Sequence, residues 1–317
     1  MNKKKSLSNI VSGLLGIVTI PFISLQIPAF AQPSPSEIKL VTGNEVGEYY
    51  SIAKDIEKLA RQNNLDIDVI PTRGGLQNIH DVFMYESIPL GIIQGDVLAF
   101  LNIFANYDEE IRVKAESMRV VLPLYQEQIY VIARKDIKSM QDLSGKIVSI
   151  GDEGSSTSMT ASTLLYQLGI NPKELVTYDI KKGIDALRNN KIDALFYVVG
   201  SPAKVLQQQI VSEDNFHVLP LSLPTTTEDE FYTKLYSKVR IPANTYSWQT
   251  EAIETLAVQS FLFTVENDDC SQVTPVASLI KDNLSWLQKN GNPMWQKVDL
   301  KPLQTQDLSR MSKCVKP

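Results

Sequence analysis

From Ile38 onward, short apolar runs alternate with amphipathic stretches, and this alternation constrains the fold more than any single motif. "IKLVTG" (38–43) reads as a strand ending in glycine. "YYSIAKDIEKLARQN" (49–63) follows, with Ile52, Ile56, Leu59 and Ala60 on one helical face and Lys54, Glu57, Lys58 and Arg61 on the other. "DIDVIPT" (66–72) is a second strand, "LQNIHDVFMYES" (76–87) a helix and "LGIIQGD" (90–96) a buried strand. A βαβαβ rhythm of this kind implies a mostly parallel sheet covered by helices.

The rhythm then restarts. "RVVLPLY" (119–125) and "QIYVIAR" (128–134) read as strands, "SMQDLSG" (139–145) as a short helix and "KIVSIG" (146–151) as a strand. "SMTASTLLYQLG" (158–169) is a helix closed by Gly169. "LVTYDI" (175–180), "GIDALRNNK" (183–191) and "IDALFYVVG" (192–200) continue strand, helix, strand. After "HVLPLSLP" (217–224) the sequence becomes helix-rich. Two α/β lobes are expected, one of residues 37–122 plus 220–317 and an inserted one of 123–219. Two crossing hinge strands would join them, leaving a ligand cleft between.

The N-terminus reads as an export signal. Lys3, Lys4 and Lys5 precede a mostly apolar run, and "AFA" (29–31) is a small-x-small cleavage site. Residues 1–31 are therefore expected to be removed, with "QPSPS" (32–36) a flexible leader and the mature protein periplasmic or otherwise extracytoplasmic. Removal takes the formal charge from −5 to −8. An acidic chain without a basic stripe is a poor match for nucleic acid. Two cysteines, Cys270 and Cys314, are expected to pair in an oxidising compartment. Together with the distant His80 and His217 they make no metal set, and no cofactor is expected.

The stretch "GDEGSSTSMTAS" (151–162) stands between a strand and a helix, where α/β folds place ligands. Helix-start amides favour an anion, and Ser155, Ser156, Thr157 and Ser158 add short donors. One hydroxyl, of Ser156 or Thr157, is expected to cap the helix. No Gly-Lys-Ser/Thr ending makes it a nucleotide loop, so a carboxylate fits better.

Other candidates lie at strand exits. Of Tyr49 and Tyr50, about 100° apart on a helix, one is expected in the core and one at the cleft. Gln94 reads as a ligand contact, and Asp96 equally as contact or structure. Arg73 could clamp a carboxylate or simply be solvated. Gly200 and Ser201 end a strand facing the cleft. "SPAK" (201–204) matches Ser-x-x-Lys without that chemistry's companion motifs, so a serine hydrolase is a distant alternative. Asp268–Asp269 reads as solvated charge.

Five stretches carry a family resemblance. They are "VTGNEVGEYYSIAKDIEKL", "TRGGLQNIHDVFMYESIPLGIIQGDV", "LSGKIVSIGDEGSSTSMTASTLLYQLGI", "GIDALRNNKIDALFYVVGSPAKVL" and "YTKLYSKVRIPANTY". In order, over about residues 38 to 250, they resemble TAXI-type solute-binding proteins, the extracytoplasmic receptors of TRAP transporters. The resemblance implies a type II periplasmic-binding-protein fold. It also implies a non-enzymatic, monomeric receptor for a small carboxylate such as glutamate, glutamine or 2-oxoglutarate, and a TRAP-type permease as partner. A sensor subunit for a membrane histidine kinase is the alternative use of such a cleft. The chain departs from the family at Asn44, where glycine is usual, at Glu45 beside the expected anion site, and at Ser156, again in place of glycine.

Overall fold

The computed structural model describes residues 37–97, 100–101, 109–223, 235–266, 269–300 and 310–315. The expected signal segment, the leader and Asp268 lie outside the described residues. Within the described chain, ten strands form one sheet in the order β2-β1-β3-β10-β4-β7-β5-β6, with β8 paired to β4 and β9 to β10.

The first half comprises β1 (Ile38–Val41), helix α1 (Glu48–Gln62), β2 (Ile67–Ile70), α2 (Gly75–Met84) and β3 (Leu90–Gln94). Its three strands are parallel, in the order second, first, third. Helix α3 (Glu109–Ser117) leads into β4 (Met118–Arg134). The second half repeats the scheme with β5 (Ile147–Ser149), α4 (Ser156–Gln167), β6 (Glu174–Val176), α5 (Ile180–Arg188) and β7 (Ala194–Val199). Here too β5, β6 and β7 are parallel, and the order is second, first, third. Helix α6 (Lys204–Gln209) and β8 (Phe216–Val218) follow. The chain then returns through β9 (Tyr236–Ile241) and β10 (Ile253–Val265), and helices α7 (Val273–Asp282) and α8 (Leu284–Asn290) complete the first half.

In each half the third strand is flanked by an antiparallel crossing strand, β10 for the first and β4 for the second. The same strand order twice, joined by two long crossing strands, is the type II periplasmic-binding-protein fold expected from sequence. One detail differs. The two expected strands 119–125 and 128–134 are a single 17-residue strand, kept continuous because β10 pairs along most of its length. The pairing slips between Gln259 and Phe261, opposite Pro123, where the ladder loses a donor. Short helices also shift: 139–145 becomes a 3-10 turn at Met140–Leu143, and 183–191 begins earlier, where Asp179 accepts from Lys182 N at 2.9 Å.

Alternation along the strands supplies cores to both sheet faces. Ile129 and Val131 enter one core of the second half, while Tyr130 and Ile132 enter the other. Leu40 packs with Ile52, Ile56 and Trp295, and the adjacent Val41 with Ile79, Val82 and Phe263. Each such side chain, fully buried, contributes roughly 1.5–3 kcal/mol. The tail is held by a Cys270–Cys314 disulfide with Cα atoms 5.1 Å apart, and by Ser312 N donating to Val120 O at 2.8 Å. Among the described residues, no helix is long and apolar enough to cross a membrane.

Candidate functional site

Two helices, one from each half, begin against each other. Leu76 N, in the first turn of α2, donates to Gly154 O, just before α4, at 3.0 Å. Gly75 sits at φ +28°, and a Cβ there would lie 2.8 Å from Ser156 N and 2.9 Å from Gly154 O. No side chain fits, so glycine is required for this approach. Two helix N-termini, each equivalent to about half a positive charge, are thus brought together, an arrangement that favours an anion between or beside them.

The α4 start differs in detail from expectation. Its N-cap is Ser155, whose Oγ accepts from Ser158 N at 3.2 Å, not Ser156 or Thr157. Gly154 at φ +72° turns the chain so that Ser155 is the last extended residue before the helix. Thr157 is buried and its Oγ1 accepts from Val198 N at 3.2 Å, which ties α4 to β7. Ser156 is left over: 8% exposed, its Oγ has no hydrogen-bond partner among the described residues. The hydroxyl lies near Tyr49 OH without hydrogen-bond geometry. A buried hydroxyl without a partner at a helix start is suited to a ligand oxygen.

A buried polar cluster adjoins this point. Gln94, the last residue of β3, donates through Nε2 to Glu127 and accepts from Thr160 Oγ1 of α4 at 3.0 Å. Tyr49 OH donates to the same Glu127 carboxylate at 3.2 Å. Asp96, just past β3, accepts from Tyr236 OH at 2.8 Å. Residues of α1, β3, β4, β9 and α4 therefore meet beside the slipped pairing of β4 and β10. Burial pushes the Glu127 carboxyl up to about 8, with the Gln94 hydrogen bond opposing it, and Asp96 up to about 6. Tyr49 is raised well above its ordinary value, by burial first and the Glu127 charge second.

Of the residues singled out from sequence, the structure brings together Tyr49, Gln94, Asp96 and Ser156. Ser155 caps and Thr157 braces the same helix. Gly200 packs against Tyr125 and Met294, and Ser201 presents its carbonyl to Lys297. Tyr50 is half buried against the core of the first half, with Lys54 Nζ 6.0 Å from its ring centre. Asn44 and Arg73 are exposed, Asn44 O accepting from Gly47 N at 2.9 Å and Arg73 N donating to Gln77 Oε1 at 3.1 Å. The Ser-x-x-Lys match is not assembled, since Lys204 is exposed while Ser201 is buried. His217 Nε2 lies 2.7 Å from Ile137 O, and among the described residues no His/Cys/Asp/Glu group could hold a metal.

Sequence reasoning missed Glu127, Thr160 and Tyr236. Glu127 had a signal: "QEQ" (126–128) interrupts an otherwise apolar strand where the chain crosses between halves. Thr160 and Tyr236 had none that separates them from ordinary helix and strand positions.

The fold and the paired helix starts define a two-lobed protein of the periplasmic-binding-protein class. More narrowly, residues 40–307 match the NMT1-like family, and the chain belongs to it. Solved structures agree at the level of fold. A Xanthomonas citri protein bound to ATP is 11% identical, with a TM-score of 0.53 over 87% of this chain and 94% of that one. A protein from Bordetella bronchiseptica RB50 is 15% identical, with a TM-score of 0.52 over 83% and 76%.

Proposed function

We propose that this chain is an exported, non-enzymatic receptor that captures a small carboxylate-bearing solute between two lobes, 37–122 with 220–317 and 123–219. The solute is of the glutamate, glutamine or 2-oxoacid kind, and the receptor delivers it to a TRAP-type membrane permease. The observation that carries this reading is the meeting of the α2 and α4 N-termini around the unpartnered Ser156 hydroxyl. Each neutral donor to a charged acceptor is worth on the order of 1.5–3 kcal/mol. Membership of the NMT1-like family and the two crossing strands support a hinged binding protein. The TRAP partner is supported by the five-segment resemblance to TAXI receptors.

Thermal-shift screening of residues 32–317 against amino acids, dicarboxylates and 2-oxoacids tests the reading. A true ligand at a hundred times its Kd should add about 2.7 kcal/mol of stability. Stabilisation only by solutes lacking a carboxylate would overturn it.

A further inference from the structure

Whenever they are ionised, the buried acids beside the helix starts would repel a carboxylate. Glu127 is 3% exposed and Asp96 1% exposed. Their donors are neutral: Gln94 and Tyr49 for Glu127, Tyr236 for Asp96. Oδ1 of Asp96 has no hydrogen-bond partner among the described residues, and the hydroxyl of the fully buried Tyr125 lies beside Glu127. None of the ion pairs among those residues involves Glu127 or Asp96, and Lys297 is engaged by the Ser201 carbonyl. Burying an unpaired carboxylate costs several kcal/mol, so such a pair is a poor way to stabilise a fold.

The geometry points to a second, cation-accepting end of the same cleft, where Glu127 and Asp96 receive a protonated amine of the solute. This deepens the carboxylate reading and rests on it for the other end. Gln94 links the two ends, since it holds Glu127 and is held by Thr160, one helical turn into α4 from Ser156. Tyr49 links them as well, its hydroxyl donating to Glu127 at 3.2 Å and lying beside Ser156. A 2-oxoacid or plain dicarboxylate brings no donor to this end. The charge balance is simple. Burial keeps Glu127 protonated near neutrality. An arriving ammonium favours the carboxylate, and Glu127 gives up its proton to solvent. The titratable groups facing it are Tyr49 from α1, Asp96 after β3, Tyr125 from β4 and Tyr197 from β7, none of them basic.

Isothermal titration of the mature chain with matched sets tests this: each amino acid, its 2-oxoacid and its des-amino acid, between pH 5.5 and 8.5 in two buffers. The amine-bearing member should bind at least about tenfold tighter, one good charge-assisted contact's worth. Its affinity should rise towards pH 8 with net proton release. Glu127→Gln should bring the preference within about threefold and end the proton release, without lowering the unliganded melting temperature. Asp96→Asn should weaken the preference in the same direction. Equal binding of the oxoacid or des-amino acid, or an undiminished preference in Glu127→Gln, overturns the inference and leaves the carboxylate reading standing. Binding of amino-acid amides as tightly as the acids would overturn the carboxylate reading alone. Silence from the whole panel contradicts both.

Discussion

At the α2–α4 contact the backbone dominates: Gly75, Gly154 and the first turns of two helices, with the Ser156 hydroxyl unpartnered among the described residues. Beside it, the Glu127–Asp96 cluster is built from side chains contributed by five elements, each locked by a neutral neighbour. The first end is fixed by local geometry, because a glycine and a helix start present donors wherever they occur. The second exists only when both halves fold and close, because no two of its carboxylate-holding residues are adjacent in sequence. An anion-favouring end is therefore cheap to encode, while an acid-lined end is costly and needs a use.

The largest way to break this contrast is Gly75→Val at the backbone end. A side chain there would meet the α4 backbone, which cannot yield without separating the lobes. Overpacking of this kind costs about 1–3 kcal/mol, and strain at φ +28° adds to it. Affinity for the screened solute should fall on the order of a hundredfold, read by titration, with far-ultraviolet circular dichroism unchanged.

Next in size is the Ser155→Ala, Ser156→Ala, Thr157→Ala triple variant. Losing the Ser155 cap costs about 1 kcal/mol of stability. Losing the Ser156 donor to a carboxylate costs on the order of 1.5–3 kcal/mol of binding, tenfold or more in affinity. Unchanged affinity with a lowered melting temperature would show that the hydroxyls only hold α4 in place.

The acid end makes a smaller, pH-dependent prediction. The folded-state pKa of Glu127 is raised above that of the unfolded chain, so its contribution to stability is fully present below the unfolded pKa. That contribution is lost as pH rises through about 8. The unliganded melting temperature should therefore decline between about pH 5 and 8, by roughly 2–4 °C for each kcal/mol lost. Glu127→Gln should flatten the decline. Calorimetric scans of both proteins across that window decide it.

The smallest effect is expected at Arg73. Exposed and engaged only through its backbone, it should tolerate alanine with less than about threefold loss of affinity and within about 0.5 kcal/mol of stability. A tenfold loss in the same titration would move the carboxylate from the Ser156 end to the rim.

The same contrast explains what could be read in advance. Strand-helix alternation and its one restart made the fold class legible, because period-2 and period-3.6 patterns record which face is buried. The glycine-and-serine loop before α4 was legible because it is contiguous. The cap, expected at Ser156 or Thr157, falls at Ser155, since four hydroxyls in a row offer four candidates and only the turn at Gly154 selects among them. Glu127 went unread because its role depends on the crossing of β4 past β10, a long-range pairing that leaves only a polar interruption in the strand. Gln94 was legible as a polar strand end, but its partners Thr160 and Glu127 were not.

The central claim is that the cleft orients a bipolar solute, carboxylate at the helix starts and amine at the acids. A crystal structure of the mature protein with the tightest-binding amino acid from the screen tests it most directly. One carboxylate oxygen should lie within hydrogen-bond distance of Ser156 Oγ or the amides at the start of α4, and the ammonium within that distance of Glu127 or Asp96. A solute bound the other way round, or outside the α2–α4 contact, would contradict it.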